Sequence, residues 1–272
     1  MTIAFPIGGP MNYPTNTWQE LNWNDTYGSR DFVYFCSNVT NLSPPANNTA
    51  ADSLLANYTG GVPWYGLGNY AAYVKKFIVP KCTTGRINST DEGCFSTQNQ
   101  TAYADTSSSG SRSYLYSTCT EIGAYQVAQP KGKPSLLSRV VQVDYTQQWC
   151  VWAFPPGKFN SIPRDGPNLT HYNQYGGFNL TADRLALIDG DQDVWLDVCY
   201  HAHLAGDRFP AVPVGKAGAV DQYLVTGGGH HWDSYGILDV ESEPQFIREA
   251  HLWEIRTITR WLNEFRAGLI KA

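Results

Sequence analysis

No run of 18 or more apolar residues occurs in the 272-residue chain, so no segment has the make-up of a membrane-spanning helix. Basic clusters are missing as well. The 19 Lys and Arg are scattered among 24 Asp and Glu, giving a formal charge of −5, whereas a nucleic-acid partner needs a clustered basic face. Cys-x-x-Cys does not occur, which disfavours a zinc ribbon or a thioredoxin-type motif. An apolar secretory leader is also absent: Met1 to Pro10 is too short and too broken by Pro and Gly to form one. Either a leader has been removed or the true N-terminus lies upstream of Met1, and the second is the expectation. What remains is ordinary for a folded protein. The hydrophobic fraction is 42%, and the length suits one large domain or two modest ones with a sizeable core.

Asparagine is used unusually. Asn followed by a non-proline residue and then Ser or Thr occurs at Asn24, Asn38, Asn41, Asn47, Asn57, Asn88, Asn99, Asn168 and Asn179, nine of seventeen Asn. With 17 Ser and 21 Thr in the chain, chance would give about two or three such triplets. The excess predicts a glycoprotein, secreted or lysosomal or vacuolar. Six cysteines, Cys36, Cys82, Cys94, Cys119, Cys150 and Cys199, agree with an oxidising compartment. They allow up to three disulfides, whose pairing spacing alone does not fix.

Residues 1 to about 166 are rich in aromatics, Asn, Gly and Pro. Within them Leu67, Tyr70, Ala71, Val74, Phe77 and Ile78 fall on one stripe and predict a helix over 67–79. The Ser-rich stretch 101–113 reads as an exposed loop. Pro and Gly between 155 and 173 mark a boundary. Beyond it, Arg184–Ile188 and Gln222–Thr226 read as buried strands, each stopped by a turn. A long helix then runs from about Pro244 to Phe265. Ile247, Ala250, Ile255, Ile258, Trp261, Leu262 and Phe265 form its stripe, Ser242 or Glu243 is placed to cap it, and Pro244 lies in its first turn. Strand, turn, strand, turn, helix predicts the end of an α/β sheet domain. The functional loops of such a sheet lie at the carboxyl ends of its strands.

Those loops read Asp189-Gly190-Asp191-Gln192-Asp193-Val194-Trp195 and Gly227-Gly228-Gly229-His230-His231-Trp232-Asp233. A carboxylate on one strand end and an imidazole on the next is the acid-then-base order of an α/β-hydrolase triad. The imidazole takes the nucleophile's proton, and the carboxylate fixes its tautomer and steadies the imidazolium. His201, His203, His230 and His231 offer a competing metal-ligand reading through their His-x-His and His-His spacings.

Four segments keep a common order: Arg112 to Gln126, which contains Cys119-Thr120-Glu121; Phe178-Asn179-Leu180-Thr181; Asp189 to Trp195; and Gly229 to Asp233. From about Ile7 to Phe265 the chain resembles the family of lysosomal Pro-Xaa carboxypeptidase and dipeptidyl-peptidase II, serine peptidases that act on prolyl bonds. The resemblance implies the C-terminal part of an α/β-hydrolase with a large, mainly helical lid. Residues 1–166 would form most of the lid, and 167–272 would carry the triad acid and base. Matched position by position, Asp193 is the acid and His230 the base, with Asp189 and Asp191 as competing carboxylates that could equally be turn formers. It also implies a Cys119–Cys150 disulfide in the lid. Glu121 would meet a peptide amine or make a structural hydrogen bond. Trp195 and Trp232 would wall a proline pocket or pack in the core. Asp189 stands where the family prefers Asn and Val194 where it prefers Pro, which softens the expected turn at Asp193.

The nucleophile is missing from the pattern. A strand-to-helix elbow needs Gly-x-Ser-x-Gly, and the chain has none. Ser109-Gly110-Ser111 lies in a polar stretch without a preceding strand. In the family the serine precedes the lid, so here it would lie upstream of Met1, and this chain alone would be inactive. The expected partner is a peptide substrate, no cofactor is called for, and the oligomeric state is open, a homo-oligomer included. The competing function is a non-catalytic secreted glycoprotein that binds peptide or glycan through its aromatics.

Overall fold

The computed structural model describes residues 17–24, 26–56, 66–81, 110–135, 137–139, 141–205, 220–235 and 239–268. By their contacts the residues divide into two units, one of 1–17 and 30–172, the other of 18–29 and 173–272. The chain division therefore falls at 172/173, and segment 18–29 sits with the second unit although it lies within the expected lid range.

In the first unit, helices α1 (Asp31–Val39) and α2 (Ala46–Leu55) both pack on α3 (Leu67–Tyr73). Asp52 of α2 is buried and supplies the cap that α3 lacks in its own sequence. Its Oδ1 accepts from Gly68 N at 2.8 Å and its Oδ2 from Gly66 N at 3.4 Å. Gly68 is required by this close approach, since a Cβ there would sit 1.9 Å from the Asn48 carbonyl oxygen. The expected 67–79 helix changes pitch: α3 passes into a π turn, Val74–Ile78, and a 3-10 turn, Val79–Lys81. The wider turn rotates the stripe, so Tyr73 and Ile78, five residues apart, are buried while Tyr70 and Phe77 are exposed.

Helix α4 (Gly110–Ser117) also runs into a π turn, Thr118–Ile122, and α5 (Val143–Ala153) packs beside it. The Cys119–Cys150 disulfide joins them across a Cα separation of 5.5 Å. Leu115, Ala153 and Ile162 close a core around it. The Ser-rich stretch expected as a loop lies outside the described residues up to 109. Its remainder, 110–113, is the first turn of α4, because burying Leu115 against the disulfide outweighs weak local propensity. Cys82 and Cys94 lie outside the described residues, and Cys36 and Cys199 are free thiols. A short helix, α6 (Leu169–Asn173), ends at the division.

The second unit holds two parallel strands, β1 (Ala186–Gly190) and β2 (Asp221–Val225), paired from Ala186 with Asp221 to Gly190 with Val225. β1 begins two residues later than the sequence suggests because Arg184 adopts φ 56°, a left-handed conformation that no strand continues through. Helix α7 (Gln245–Arg266) runs back along β2. Ile247 and Ala250 pack on Val225, Trp253 lies 5.4 Å from the Tyr223 ring, and Arg260 pairs with Asp221. Among the described residues only this face of α7 is covered. Ile255, Ile258, Leu262 and Phe265, expected in the core stripe, are exposed. The expected cap also differs: Pro244 is the N-cap and no side chain closes the first turn. Glu243 is engaged elsewhere, by His251. No helix among the described residues is long and apolar enough to cross a membrane.

Candidate active site

Because β1 and β2 are neighbours and parallel, the loops that follow them leave the same sheet edge. They are laced together by backbone. Gln192 N donates to Gly228 O at 2.9 Å, Asp191 N to Val225 O at 3.2 Å, and Gly227 N to Asp191 Oδ1 at 2.8 Å. The loops approach so closely that a Cβ on Gly190 would lie 2.4 Å from Gly228 O, which explains glycine at the end of β1.

This lacing sets Asp193 opposite His230. His230 Nδ1 donates to Asp193 Oδ2 at 2.8 Å. The other carboxylate oxygen, Oδ1, accepts from Trp195 N at 2.8 Å, and Asp193 N closes a turn onto Gly190 O at 3.1 Å. Both carboxylate oxygens are thus committed and the group is fixed in rotation. With Nδ1 bound to the carboxylate, Nε2 is the imidazole nitrogen available for proton transfer. The Asp193 side chain is 12% exposed and that of His230 22%, so the carboxylate is sheltered while the imidazole reaches solvent. His231 adopts φ 59° and stacks on His230 with ring centroids 3.7 Å apart.

The competing carboxylates have other partners. Asp191 holds Gly227, as a turn residue would. Asp189 accepts from His201 twice through Oδ2, from the backbone N at 3.0 Å and from Nδ1 at 2.6 Å. Burial pushes the Asp189 carboxyl up, but the hydrogen bonds and charge of His201 outweigh it and hold the carboxyl below its ordinary range. Beside it, burial together with the Asp189 and Asp193 charges pushes the Cys199 thiol up to about 12. A thiol so reluctant to ionise is a poor nucleophile. His201 and His230 each face their own carboxylate, and among the described residues no three His, Cys, Asp or Glu are placed to hold a metal ion.

Trp195 lies beside the pair, whereas Trp232 packs against the core formed by Val225, Ile247 and Ala250; both are anchored by the segment 18–29. Trp195 Nε1 donates to Gln19 Oε1 at 2.9 Å, and its ring lies 6.5 Å from that of His230. Trp232 Nε1 donates to Leu21 O at 2.7 Å and its ring packs on Phe246. Trp18 Nε1 donates to Gln192 O at 3.0 Å, and Tyr27 stacks on Tyr235 at 5.0 Å. Sequence reasoning missed this strap. Its one visible signal was the density of Trp and Tyr between 18 and 27. It also missed the roles of His201 and His251. Glu121 belongs to the first unit and is exposed in the π turn after α4. Of the sequon asparagines, Asn38, Asn41, Asn47, Asn168 and Asn179 are exposed and Asn24 is half-buried, while Asn57, Asn88 and Asn99 lie outside the described residues.

Comparison with known proteins adds the family context. The family model described as serine carboxypeptidase S28 matches residues 69–245. The chain is 27% identical over 264 residues to a probable extracellular serine carboxypeptidase of Arthroderma benhamiae, covering 90% of this chain and 34% of that protein. It is similar to two serine proteases of Bipolaris victoriae: to vicPb at 26% identity, over 73% of this chain and 38% of the relative, and to vicPa at 22%, over 94% and 47%. The chain thus spans between about a third and a half of the length of these relatives.

Proposed function

Starting from a chain that belongs to the serine carboxypeptidase S28 family, an α/β-hydrolase family, we propose that Asp193 and His230 are the acid and base of a secreted serine peptidase. The reaction is acyl transfer. His230 Nε2 takes the proton of a serine hydroxyl as its oxygen attacks the scissile carbonyl, then passes that proton to the leaving amine. Water repeats the sequence on the acyl-enzyme. Asp193 keeps Nδ1 protonated and stabilises the imidazolium. The serine comes from sequence outside these 272 residues, and 1–166 supply most of a lid. Peptides are the substrates. Prolyl-directed exopeptidase action, by carboxypeptidase or dipeptidyl-peptidase cleavage, is the specificity to test, with Trp195 and Trp232 as apolar walls and Glu121 as the partner for a peptide amine. An extracellular or lysosomal site fits the nine sequons and the Cys119–Cys150 bridge.

The observation carrying this reading is the 2.8 Å contact between a sheltered carboxylate and a half-exposed imidazole at adjacent strand ends. The test is fluorophosphonate labelling. The 272-residue chain stays unlabelled, since removing the serine of a triad costs on the order of 10⁶ in turnover. A form extended upstream of Met1 through a serine elbow is labelled and cleaves prolyl peptides. Labelling of the short chain, or no labelling of the extended one, rejects the proposal and leaves the peptide-binding or glycan-binding glycoprotein.

A further inference from the structure

A second histidine touches the base loop from behind. His251, on the first turns of α7, is buried, its side chain 1% exposed, and both of its ring nitrogens are engaged. Nδ1 lies 2.7 Å from Glu243 Oε2, and Nε2 lies 2.9 Å from the backbone oxygen of Asp233, the last residue of the Gly227–Asp233 loop. A peptide carbonyl only accepts hydrogen bonds, so Nε2 must carry a proton. At Nδ1 two arrangements satisfy the geometry: an imidazolium donating to the Glu243 carboxylate, or a protonated Glu243 donating to a neutral ring. Either way the pair holds one proton more than a neutral histidine beside an ionised glutamate. If that proton leaves, the remaining one stays on Nδ1 opposite the carboxylate charge. Nε2 then turns a lone pair toward the Asp233 carbonyl, and an attractive contact becomes a repulsive one inside a buried site.

We infer that His251 is a positioning residue that holds the base loop at the Asp233 carbonyl through a proton shared with Glu243, so that the loop is held in acid and loosened as the proton leaves. Asp233 is three residues beyond His230, and Trp232 between them is tied to Leu21. Only two residues therefore separate the carbonyl that His251 holds from the base. The inference rests on reading residues 227–233 as the base loop, but the contact itself exists without catalysis.

The titratable surroundings fix the direction. Burial opposes the charged ring, but the Glu243 hydrogen bond, the Asp233 carbonyl and the charges of Glu243 and Glu254 outweigh it, and His251 ionises above the ordinary histidine value of 6.5. Glu254 lies on α7 itself. Asp233 carries its own carboxyl, which senses His231 and, from β1, Asp189; burial pushes both the Asp233 and Glu254 carboxyls up. A raised folded value means that the stabilisation is complete below pH 6.5 and is lost as pH climbs through the folded value.

The test uses the 272-residue chain with ¹⁵N-labelled histidine. Ring nitrogen shifts of His251 and amide exchange at His230–Asp233 are followed from about pH 5 to pH 9. At the acid end Nε2 carries a proton. Across the His251 transition, opening of the loop, corrected for intrinsic exchange, increases by about tenfold. Glu243→Gln separates this proton latch from simple packing. Its amide donates to Nδ1 of a neutral ring, Nε2 keeps its proton on the Asp233 carbonyl, and the pH step disappears while loop protection persists. This variant retains the buried ring and avoids the unfolding that His251→Ala would risk. An Nε2 without a proton at the acid end, or an unchanged pH step in Glu243→Gln, overturns the inference. Neither readout involves turnover, so loss of the peptidase reading and loss of the latch are separately observable.

Discussion

Asp189, near the end of β1, and Asp193, in the loop that follows, lie four residues apart, and each holds a histidine through Nδ1, at 2.6 Å and 2.8 Å. The first pair is sealed: the His201 side chain is 1% exposed, and the carboxylate also takes the His201 backbone N–H. The second pair leaves its imidazole open on one side, while its carboxylate is pinned by Trp195 N. The chemical groups are the same, but their surroundings divide the labour. A pair whose imidazole is sealed can only stabilise, because that ring cannot pass a proton to a substrate. An open pair with a fixed acid can transfer one. Pairing alone is therefore weak grounds for catalysis; pairing plus one exposed nitrogen is stronger.

Substitutions should separate the two pairs. In a serine-containing form, His230→Ala lowers kcat by about 10⁴-fold or more while the thermal midpoint falls less than in His201→Ala, because the lost ring is 22% exposed and Trp195 N still holds the Asp193 carboxylate. His201→Ala does the reverse. It removes a ring that is 1% exposed and the shorter of the two His201 hydrogen bonds to Asp189, and costs roughly 3–5 kcal/mol of stability, read as a lower urea midpoint at unchanged slope. Equal effects of the two variants on stability and activity would erase the distinction. The Asp189 pair also carries a pH signature. Its carboxyl is held below the ordinary value of 3.8, so its stabilisation is complete above 3.8 and is lost as pH falls through the lower folded value. Urea midpoints of wild type and Asp189→Asn should therefore converge as pH drops below 3.8 and stay apart above it.

That a carboxylate and an imidazole would meet was legible in sequence because each loop follows an apolar run that ends at glycine, and strand-end loops of one sheet edge meet whatever the intervening chain does; that the carboxylate would be Asp193 rather than Asp189 or Asp191 came only from the family resemblance. The partner of Asp189 was not legible. His201 lies twelve residues downstream in short 3-10 turns, with no periodicity to place it, and its His-x-His spacing suggested a metal ligand instead. Helix α7 was read almost to the residue from its stripe. Which part of that stripe is covered depends on β2 lying along one face, and the pattern within the helix contains no trace of this. Glu243 shows a third limit. Its position just before a helix predicts a cap, but a buried imidazole eight residues on competes for the carboxylate and takes it. The π turns after α3 and α4 escaped notice because a stripe counted at 3.6 residues per turn assumes the pitch it is meant to detect.

The smallest expected effect tests how the open pair is kept in register. Trp195 serves Asp193 twice over: its backbone N–H fixes Oδ1, and its indole is tied to Gln19 on a strap 176 residues away in sequence. Gln19→Ala removes that tie and leaves every atom of the acid–base pair in place. One half-buried hydrogen bond between uncharged groups is worth about 1 kcal/mol, so the expected cost is a fall of roughly fivefold in kcat in a serine-containing form. The Nδ1 proton of His230 in the short chain should also exchange faster. Gln19→Glu, which keeps an acceptor at the same reach, should restore both. If Gln19→Ala instead lowers the urea midpoint without touching the His230 proton, the strap merely packs against the loop, and the fixed acid owes its register to the Gln192–Gly228 lacing alone.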